Sequence, residues 1–472
     1  MFLNDRLFRK SNSRSPVMRN YSKALAYLNQ FISYERTQPA HYSPETLSLD
    51  RVNQLLDRLG RPDRSFRSIH IAGTKGKGST AAMIESSLRA AGYRTGLYTS
   101  PHLHTFRERI RIDNENITQE DFAASVDTLE PHITAVEGLT WFEIVTAQAF
   151  TQFAKSKIDV AVLEVGLGGR FDATNVVTPI VSVITSLSLD HMNLLGNTIE
   201  QIAFEKAGII KPRVPIVSAP QRLEAFDVIR RVARLRAAPL TLVGRDVIFE
   251  RLSASLDGQE FQIVDVPAGR KSSDQGADYH PLRVSTFKVP LLGSHQITNA
   301  ATTITALHAA HERGLPISDE AIRAGLLNVK WLGRLEILNH RPLLVVDGAH
   351  NADSAQKLAA ALPEVFGLDE WTLIIGISAD KDLPAILDAL VPIASHIIVT
   401  RAHNVRAADV ESLAALVSDR GQQPIVASNV DEAIVIALQH QLPIIVTGSL
   451  FTVADAREAW AARSGVLLEK DE

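Results

Sequence analysis

The sequence predicts an α/β chain of two doubly wound domains: a phosphate-loop domain with a β-rich excursion, then a Rossmann-like C-terminal α/β domain. Three observations carry that prediction. The 472 residues exceed what one hydrophobic core usually organises. Short Val/Ile/Leu-rich runs alternate with helical stretches, the cadence of a largely parallel sheet. That cadence breaks into short alternating runs near Leu240 and resumes beyond Leu332. Residues 1–20 read as a disordered tail, 21–325 as the first domain and 326–472 as the second. Met18, just before the first helical pattern, is an alternative start.

Composition narrows the function classes. A 45% hydrophobic and 22% charged chain lies at the globular average, away from disordered sequences. Lys plus Arg number 49 against 53 Asp plus Glu, a net charge of −4 that argues against nucleic acid or anionic membrane as partner. With no cysteine, disulfides, thiolate nucleophiles, iron–sulfur clusters and Cys-based zinc sites are excluded. No apolar run reaches the ~18 residues of a membrane span, and the first 20 residues lack a secretory core, so a cytoplasmic protein is expected.

Apolar Leu25, Leu28, Phe31 and Ile32 recur at helical spacing between Tyr21 and Tyr34. Strands follow at Ser68–Gly73, Arg94–Thr99, Ile158–Gly166, Ile180–Leu187 and Pro215–Ser218, with helices at Ser79–Ala91, Phe142–Ser156 and about Ile199–Gly208. From Leu240, the runs LTLVGRDVIFERL, EFQIVDV and STFKVPLL surround a polar loop, Pro267–Pro281, and suggest a β-rich subdomain or edge hairpins decorating the first domain. A long helix, His295–Gly314, leads to a helical connector, after which LEIL, PLLVVDG, WTLIIGIS, HIIVTRA, PIVAS and LPIIVTGS supply a second sheet.

The sharpest motif is Gly73-Thr74-Lys75-Gly76-Lys77-Gly78-Ser79, between a buried strand and a helix. Glycines let the backbone curl its N–H groups around phosphate, and the helix N-terminus adds positive potential. The pattern G-x-x-x-x-G-K-[ST] is not matched, because Gly78 separates Lys77 from Ser79, so this is not the ordinary GTPase or transporter loop.

Glu164 ends an otherwise apolar strand at the edge where such sheets bind ligands, and it reads either as a magnesium ligand or as a paired structural carboxylate. His191, in Ser188-Leu189-Asp190-His191, reads as a metal ligand, a proton carrier or a core histidine, and Ser100 offers a hydroxyl at a third strand end. His102-x-His104 lacks further ligands for zinc. Lys206 reads either as a surface lysine paired with Glu205 or as a desolvated, chemically active lysine, and the residues alone do not select between them. Asp347 and His350, in Asp347-Gly348-Ala349-His350-Asn351, and Gly448-Ser449 bring polar groups to strand ends of the second domain, so a cleft between domains is expected.

Taken in order, these strings, with Thr99-Ser100-Pro101-His102-Leu103, the Leu163–Asn175 stretch and Glu205-Lys206-Ala207-Gly208, resemble the folylpolyglutamate synthase/dihydrofolate synthase family of the Mur ligase superfamily. The resemblance spans about Ala24 to Leu450 and implies a P-loop Mur-ligase-type central domain followed by a glutamate ligase domain. It implies an ATP site at Thr74, Lys75, Gly76, Lys77, Gly78, Ser79, Asn299, Arg334 and Asp347, and magnesium on Ser100, Glu164 and His191. It further implies a pteridine-bearing substrate at Thr140, Phe171, Asp172 and Ala173, and incoming L-glutamate at His350 and Ser449. Lys77, Lys206 and His350 would be the catalytic residues, with Lys206 carbamylated, and a monovalent cation remains open. Lys75 departs from the family's usual asparagine.

The implied reaction is ATP-dependent ligation of glutamate to dihydropteroate or a reduced folate through an acyl phosphate, by a monomer. A cell-wall Mur ligase is disfavoured because no separate UDP-binding domain precedes residue 68. A regulatory ATP-binding module without ligase chemistry is the reading from another class.

Overall fold

The computed structural model describes residues 19–34, 48–265, 284–404 and 406–471. Residues 1–18 of the expected tail and the whole polar loop Pro267–Pro281 lie outside the described residues. Arg19 and Asn20, assigned to that tail by sequence, are tied down. Arg19 pairs with Asp127 at 3.0 Å and Glu130 at 2.7 Å, and Asn20 caps the helix Tyr21–Leu28.

The first sheet contains β1 (Arg67–Ala72), β2 (Thr95–Tyr98), β3 (Ile110–Ile112), β4 (Glu115–Asn116), β5 (Val160–Glu164), β6 (Val181–Ile184), β7 (Ile216–Ser218) and β8 (Leu240–Leu242). Their order is β4-β3-β2-β5-β1-β6-β7-β8, parallel from β2 to β8. Strand periodicity divides its core. Ile69, Ile71, Val160 and Val162 pack one way, with helices Lys77–Ala90 and Ser294–Glu312, while Ala161 and Leu163 pack the other, with Gln119–Ile133 and Trp141–Lys155. Each fully buried branched side chain contributes about 1.5–3 kcal/mol of burial.

The run LTLVGRDVIFERL, read as one β-rich stretch, is split by the turn at Gly244. Its first half is β8, the parallel edge of the large sheet, and its second half begins β9 (Val247–Ser255). The excursion proper is a separate antiparallel sheet of β9, β10 (Gly258–Asp265) and β11 (Val284–Val289).

The second domain holds β12 (Glu336–His340), β13 (Leu343–Val346), β14 (Trp371–Ile375), β15 (Ala394–Val399), β16 (Ile425–Val426) and β17 (Ile444–Thr447). They are ordered β12-β13-β17-β14-β15-β16, with only β12 antiparallel. The two α/β domains and the β-rich excursion are those the sequence predicts. Helices Leu49–Arg58, Gln119–Ile133 and Leu223–Leu235 were not foreseen. Among the described residues, no helix is long and apolar enough to cross a membrane.

Candidate active site

Parallel strands deliver their C-terminal ends to one edge, and here those edges face each other across a cavity of about 700 Å³. Every site residue singled out from the sequence lines it, from Thr74 to Ser449.

The phosphate loop follows β1. Gly76, at φ +86°, begins the helix Lys77–Ala90, and a Cβ there would lie 2.3 Å from Asn299 Oδ1. At Gly78 a Cβ would meet the Trp331 ring at 2.6 Å. Glycine is therefore imposed by close approach of the connector and of helix Ser294–Glu312. Thr74 and Lys75 donate their backbone N–H groups to Ser186 O at 3.0 and 3.1 Å, anchoring the loop to the segment after β6. The helix N-terminus then presents first-turn N–H groups that have no acceptor within the helix, an anion site by construction.

Register places Glu164, the last residue of β5, beside Ile71 of β1. Its carboxylate accepts from Ser100 N at 3.3 Å and lies 3.9 Å from Lys77 Nζ. Burial raises its pKa, against the opposing pull of Lys77. Lys206 is not the surface lysine that its sequence context suggests. It is 5% exposed, donates from Nζ to Gly73 O at 2.9 Å, and is lowered to about 7 by burial and then by Lys77. Its expected partner, Glu205, instead forms a two-pronged pair with Arg170 at 2.7 and 3.0 Å. His191 stands at φ +50° with Nε2 3.9 Å from Asp190 Oδ1, lowered to about 4 by burial against that carboxylate.

One wall is built by the segment after β5. The Asp172 carboxylate accepts from Gly166 N, Leu167 N and Thr174 N, each at 3.0 Å, and from the Thr174 hydroxyl, so it shapes the loop that presents Phe171 and Ala173. Arg170 lies 4.2 Å over the Phe171 ring. Thr140 caps the helix Trp141–Lys155 in a reciprocal arrangement with Glu143, itself held by Arg51 at 3.2 Å.

On the opposite side, Asp347 accepts from Leu335 N and Ala349 N, both at 2.9 Å. Burial raises its pKa and Arg334 opposes the rise. Arg334 itself donates to Gly333 O at 2.9 Å. Ser449 caps the helix Leu450–Arg463. His350 Nδ1 lies 2.7 Å from Gly348 O, and its pKa is held well below the usual value by Lys75 first and burial second.

Asp190, Lys381 and Arg406 also line the cavity, Asn351 is joined to it through Asp190, and none of the four was assigned from sequence. Asp190 and Asn351 lay inside motifs already quoted. Lys381 and Arg406 sit in loops after β14 and β15, where only the strand-end rule points to them. The His102/His104 pair is not a zinc site: His104 is engaged by Glu458 through Nδ1 and by Arg457 through Nε2.

Residues 71–307 match the family described as Mur ligase middle domain, and residues 333–450 match Mur ligase, glutamate ligase domain. A dihydrofolate synthase/folylpolyglutamate synthase of Bacillus subtilis is 43% identical over 346 residues, 71% of this chain and 76% of that relative. The folylpolyglutamate synthase of Lacticaseibacillus casei is 35% identical, covering 93% of this chain and 98% of its own. The chain belongs to the folylpolyglutamate synthase/dihydrofolate synthase family of Mur ligases. Solved members of the family superpose on this ligase over nearly their whole length. Mycobacterium tuberculosis folylpolyglutamate synthase complexed with ADP and AMPPCP gives a TM-score of 0.81 at 32% identity, over 93% of this chain and 97% of that one. Escherichia coli FolC in complex with DHPP and ADP gives 0.80 at 30%, over 94% and 99%.

Proposed function

We propose that this ligase adds L-glutamate to dihydropteroate, to reduced folates carrying glutamate, or to both, at the expense of ATP, as a cytoplasmic monomer. The observation that carries the reading is one shared cavity. It joins a phosphate loop, a buried acidic and basic cluster and an aromatic wall of the first domain to the strand ends of the second. Relatives named for these activities, and solved neighbours holding ADP, AMPPCP or DHPP, support it. We assign the acid and the phosphate cradle of the nucleotide to residues 21–325, and the amino acid, with Arg334 and Asp347 of the nucleotide site, to 326–472.

A carboxylate is a poor electrophile. Its oxygen takes the γ-phosphoryl group of ATP, ADP leaves, and an acyl phosphate forms. The glutamate nitrogen then bonds to the acyl carbon, phosphate departs with the C–O bond electrons, and the nitrogen loses its proton. Lys77 and the first-turn N–H groups stabilise the transferring phosphoryl, Arg334 adds positive charge, and Asn299 and Asp347 hold adenine and ribose. Thr140, Phe171 and Ala173 receive the acid on the wall fixed by Asp172, while His350 and Ser449 orient the amino acid. Contact between the domains keeps water from the acyl phosphate.

The residues fit a magnesium ion. Glu164 is a buried carboxylate with its nearest cation 3.9 Å away, and Ser100 and His191 border the same cavity. Among the described residues no cluster of three or more His, Asp or Glu could hold a metal, so phosphate and water would complete its shell, as is usual for magnesium. When bound, the ion supplies charge neutralisation of the nucleotide phosphates. Lys206, buried and tuned to about 7, is suited to carbamylation: its nitrogen adds to CO₂ and releases a proton, turning a cation into an anion.

The test is phosphate release from ATP with dihydropteroate and tetrahydrofolate supplied separately, each with and without glutamate. Release that depends on both acid and glutamate is expected. ATP turnover indifferent to either would replace the ligase reading with a regulatory one.

A further inference from the structure

Lys75 is placed in the phosphate loop, yet its side chain does not follow the loop. Its Nζ lies 3.1 Å from Asp190 Oδ2 and 3.2 Å from His350 Nε2. Asn351 Nδ2 donates to the same Asp190 oxygen at 2.8 Å. His350 has Nδ1 beside the Gly348 carbonyl, an acceptor only, so Nδ1 carries the proton and Nε2 is the lone pair that takes a proton of the ammonium. Asn351 is equally committed: its Oδ1 accepts from Ser354 N at 3.0 Å and caps the helix Ala352–Phe366. Two residues of the first domain and two of the second thus form one hydrogen-bonded cluster.

Other polar contacts also cross between the domains. Arg251 meets Glu364, with side chains 36% and 27% exposed, and Arg107 meets Glu469, which is 56% exposed. Each of these pairs has a partner open to water, which screens it, although Arg107 itself is 6% exposed. Lys75 and Asp190 are 17% and 11% exposed and lie on the catalytic cavity itself. Breaking a pair so placed leaves a charge without its partner in a poorly solvated site. Two of the ammonium's three protons are engaged, and the third is available to an anion in the cavity.

We propose that Lys75 is an interdomain latch, a positioning residue that ties the phosphate loop to the first turn of helix Ala352–Phe366 through Asp190, Asn351 and His350. The loop that holds the nucleotide and the residues that receive the amine are thereby brought into register as one unit. The substrates named rest on the function proposed above; the latch itself is a statement about domain closure and is measured without turnover.

The chain has no cysteine, so Glu224→Cys and Glu411→Cys, at exposed positions in the two domains, accept a dye pair without background labelling. Energy transfer is recorded with and without AMPPCP for this labelled protein and for versions carrying Lys75→Met, Asp190→Asn, both, or Lys75→Arg. The expected result is a shift of Lys75→Met and Asp190→Asn to the open distribution. The double variant should open no further than either single one, because the two changes remove one interaction. Lys75→Arg, which keeps the charge, should restore closure. In turnover, Lys75→Met should raise KM for glutamate about 5- to 150-fold, the range of ordinary coupling between sites. An energy-transfer distribution identical to that of the unsubstituted protein, or single effects that add in full, would overturn the latch whatever the activity. Absence of ligase activity in the unsubstituted enzyme would strike the proposed function and leave the closure measurement to decide the latch.

Discussion

The two sheets aim polar strand ends at the same cavity, but they treat charge differently. In the first domain, Glu164 is pushed up by burial, Lys206 is pushed down to about 7, and Lys77 stands 3.9 Å from its nearest carboxylate. Glu164 and Lys206 are buried, each with a backbone hydrogen bond but without a close ion pair, an arrangement that a polyanionic ligand and its counter-ion would relieve. In the second domain, Asp347 is satisfied by two backbone N–H groups, Asn351 and Ser449 cap helices, and His350 is tied to Gly348. On that side the polar groups are satisfied by the protein's own hydrogen bonds. The first domain is therefore expected to govern the chemical step, and the second the placement of the amino acid.

The largest effect tests the first half of that division. Lys77→Ala should lower kcat about 10³-fold in coupled phosphate release, the scale of losing a principal charge-stabilising donor. A near-normal rate would remove the phosphate cradle from the mechanism. Lys206→Ala should cost about 10- to 100-fold, as loss of a group supporting a metal site does. Mass spectrometry of the native protein in labelled bicarbonate should find the carbamate on that residue, and an unmodified amine under saturating bicarbonate would end its proposed role.

The second half predicts a different kinetic signature. His350→Ala and Ser449→Ala should raise KM for glutamate about tenfold while kcat falls less, since placement of one substrate is lost rather than charge stabilisation in the transition state. Equal loss in kcat and kcat/KM would assign them to chemistry and erase the distinction between the domains.

The sequence disclosed the two sheets because parallel strands buried on both faces read as continuous apolar runs, such as Val160–Glu164 and Trp371–Ile375. It disclosed the loop because glycines at Gly76 and Gly78 answer to close contacts. It did not disclose β8 as a sheet edge, since a three-residue strand leading through one turn into an antiparallel hairpin has no period of its own. The surface-pair reading of Lys206 fails for a physical reason: neighbouring opposite charges in sequence suggest a pair, whereas Arg170, thirty-five positions away, captures Glu205. Likewise, nothing local to Lys75 announces partners 115 and 275 residues distant.

The smallest effect concerns what stands beneath the first-domain wall. His70 of β1 is fully buried, and its Nε2 lies 2.8 Å from Thr174 Oγ1. That hydroxyl donates to Asp172, so His70 must donate to it from Nε2, and the imidazole is neutral with Nδ1 buried and without a partner. Burial, and secondarily Lys211, lowers its pKa to about 3 from 6.5. Between those values the unfolded chain binds a proton that the folded chain refuses. Stability is therefore complete above pH ~6.5 and declines as the pH falls towards 3, by at most about 1.4 kcal/mol per pH unit from this residue. His70→Gln keeps an Nε2–H donor but cannot titrate. Urea unfolding at intervals from pH 7.5 to 4.5 should show a shallower acid decline for the variant. Parallel curves would mean that the wall carrying Asp172 owes nothing to a neutral histidine, and that the uncompensated charge of the first domain is confined to its catalytic edge.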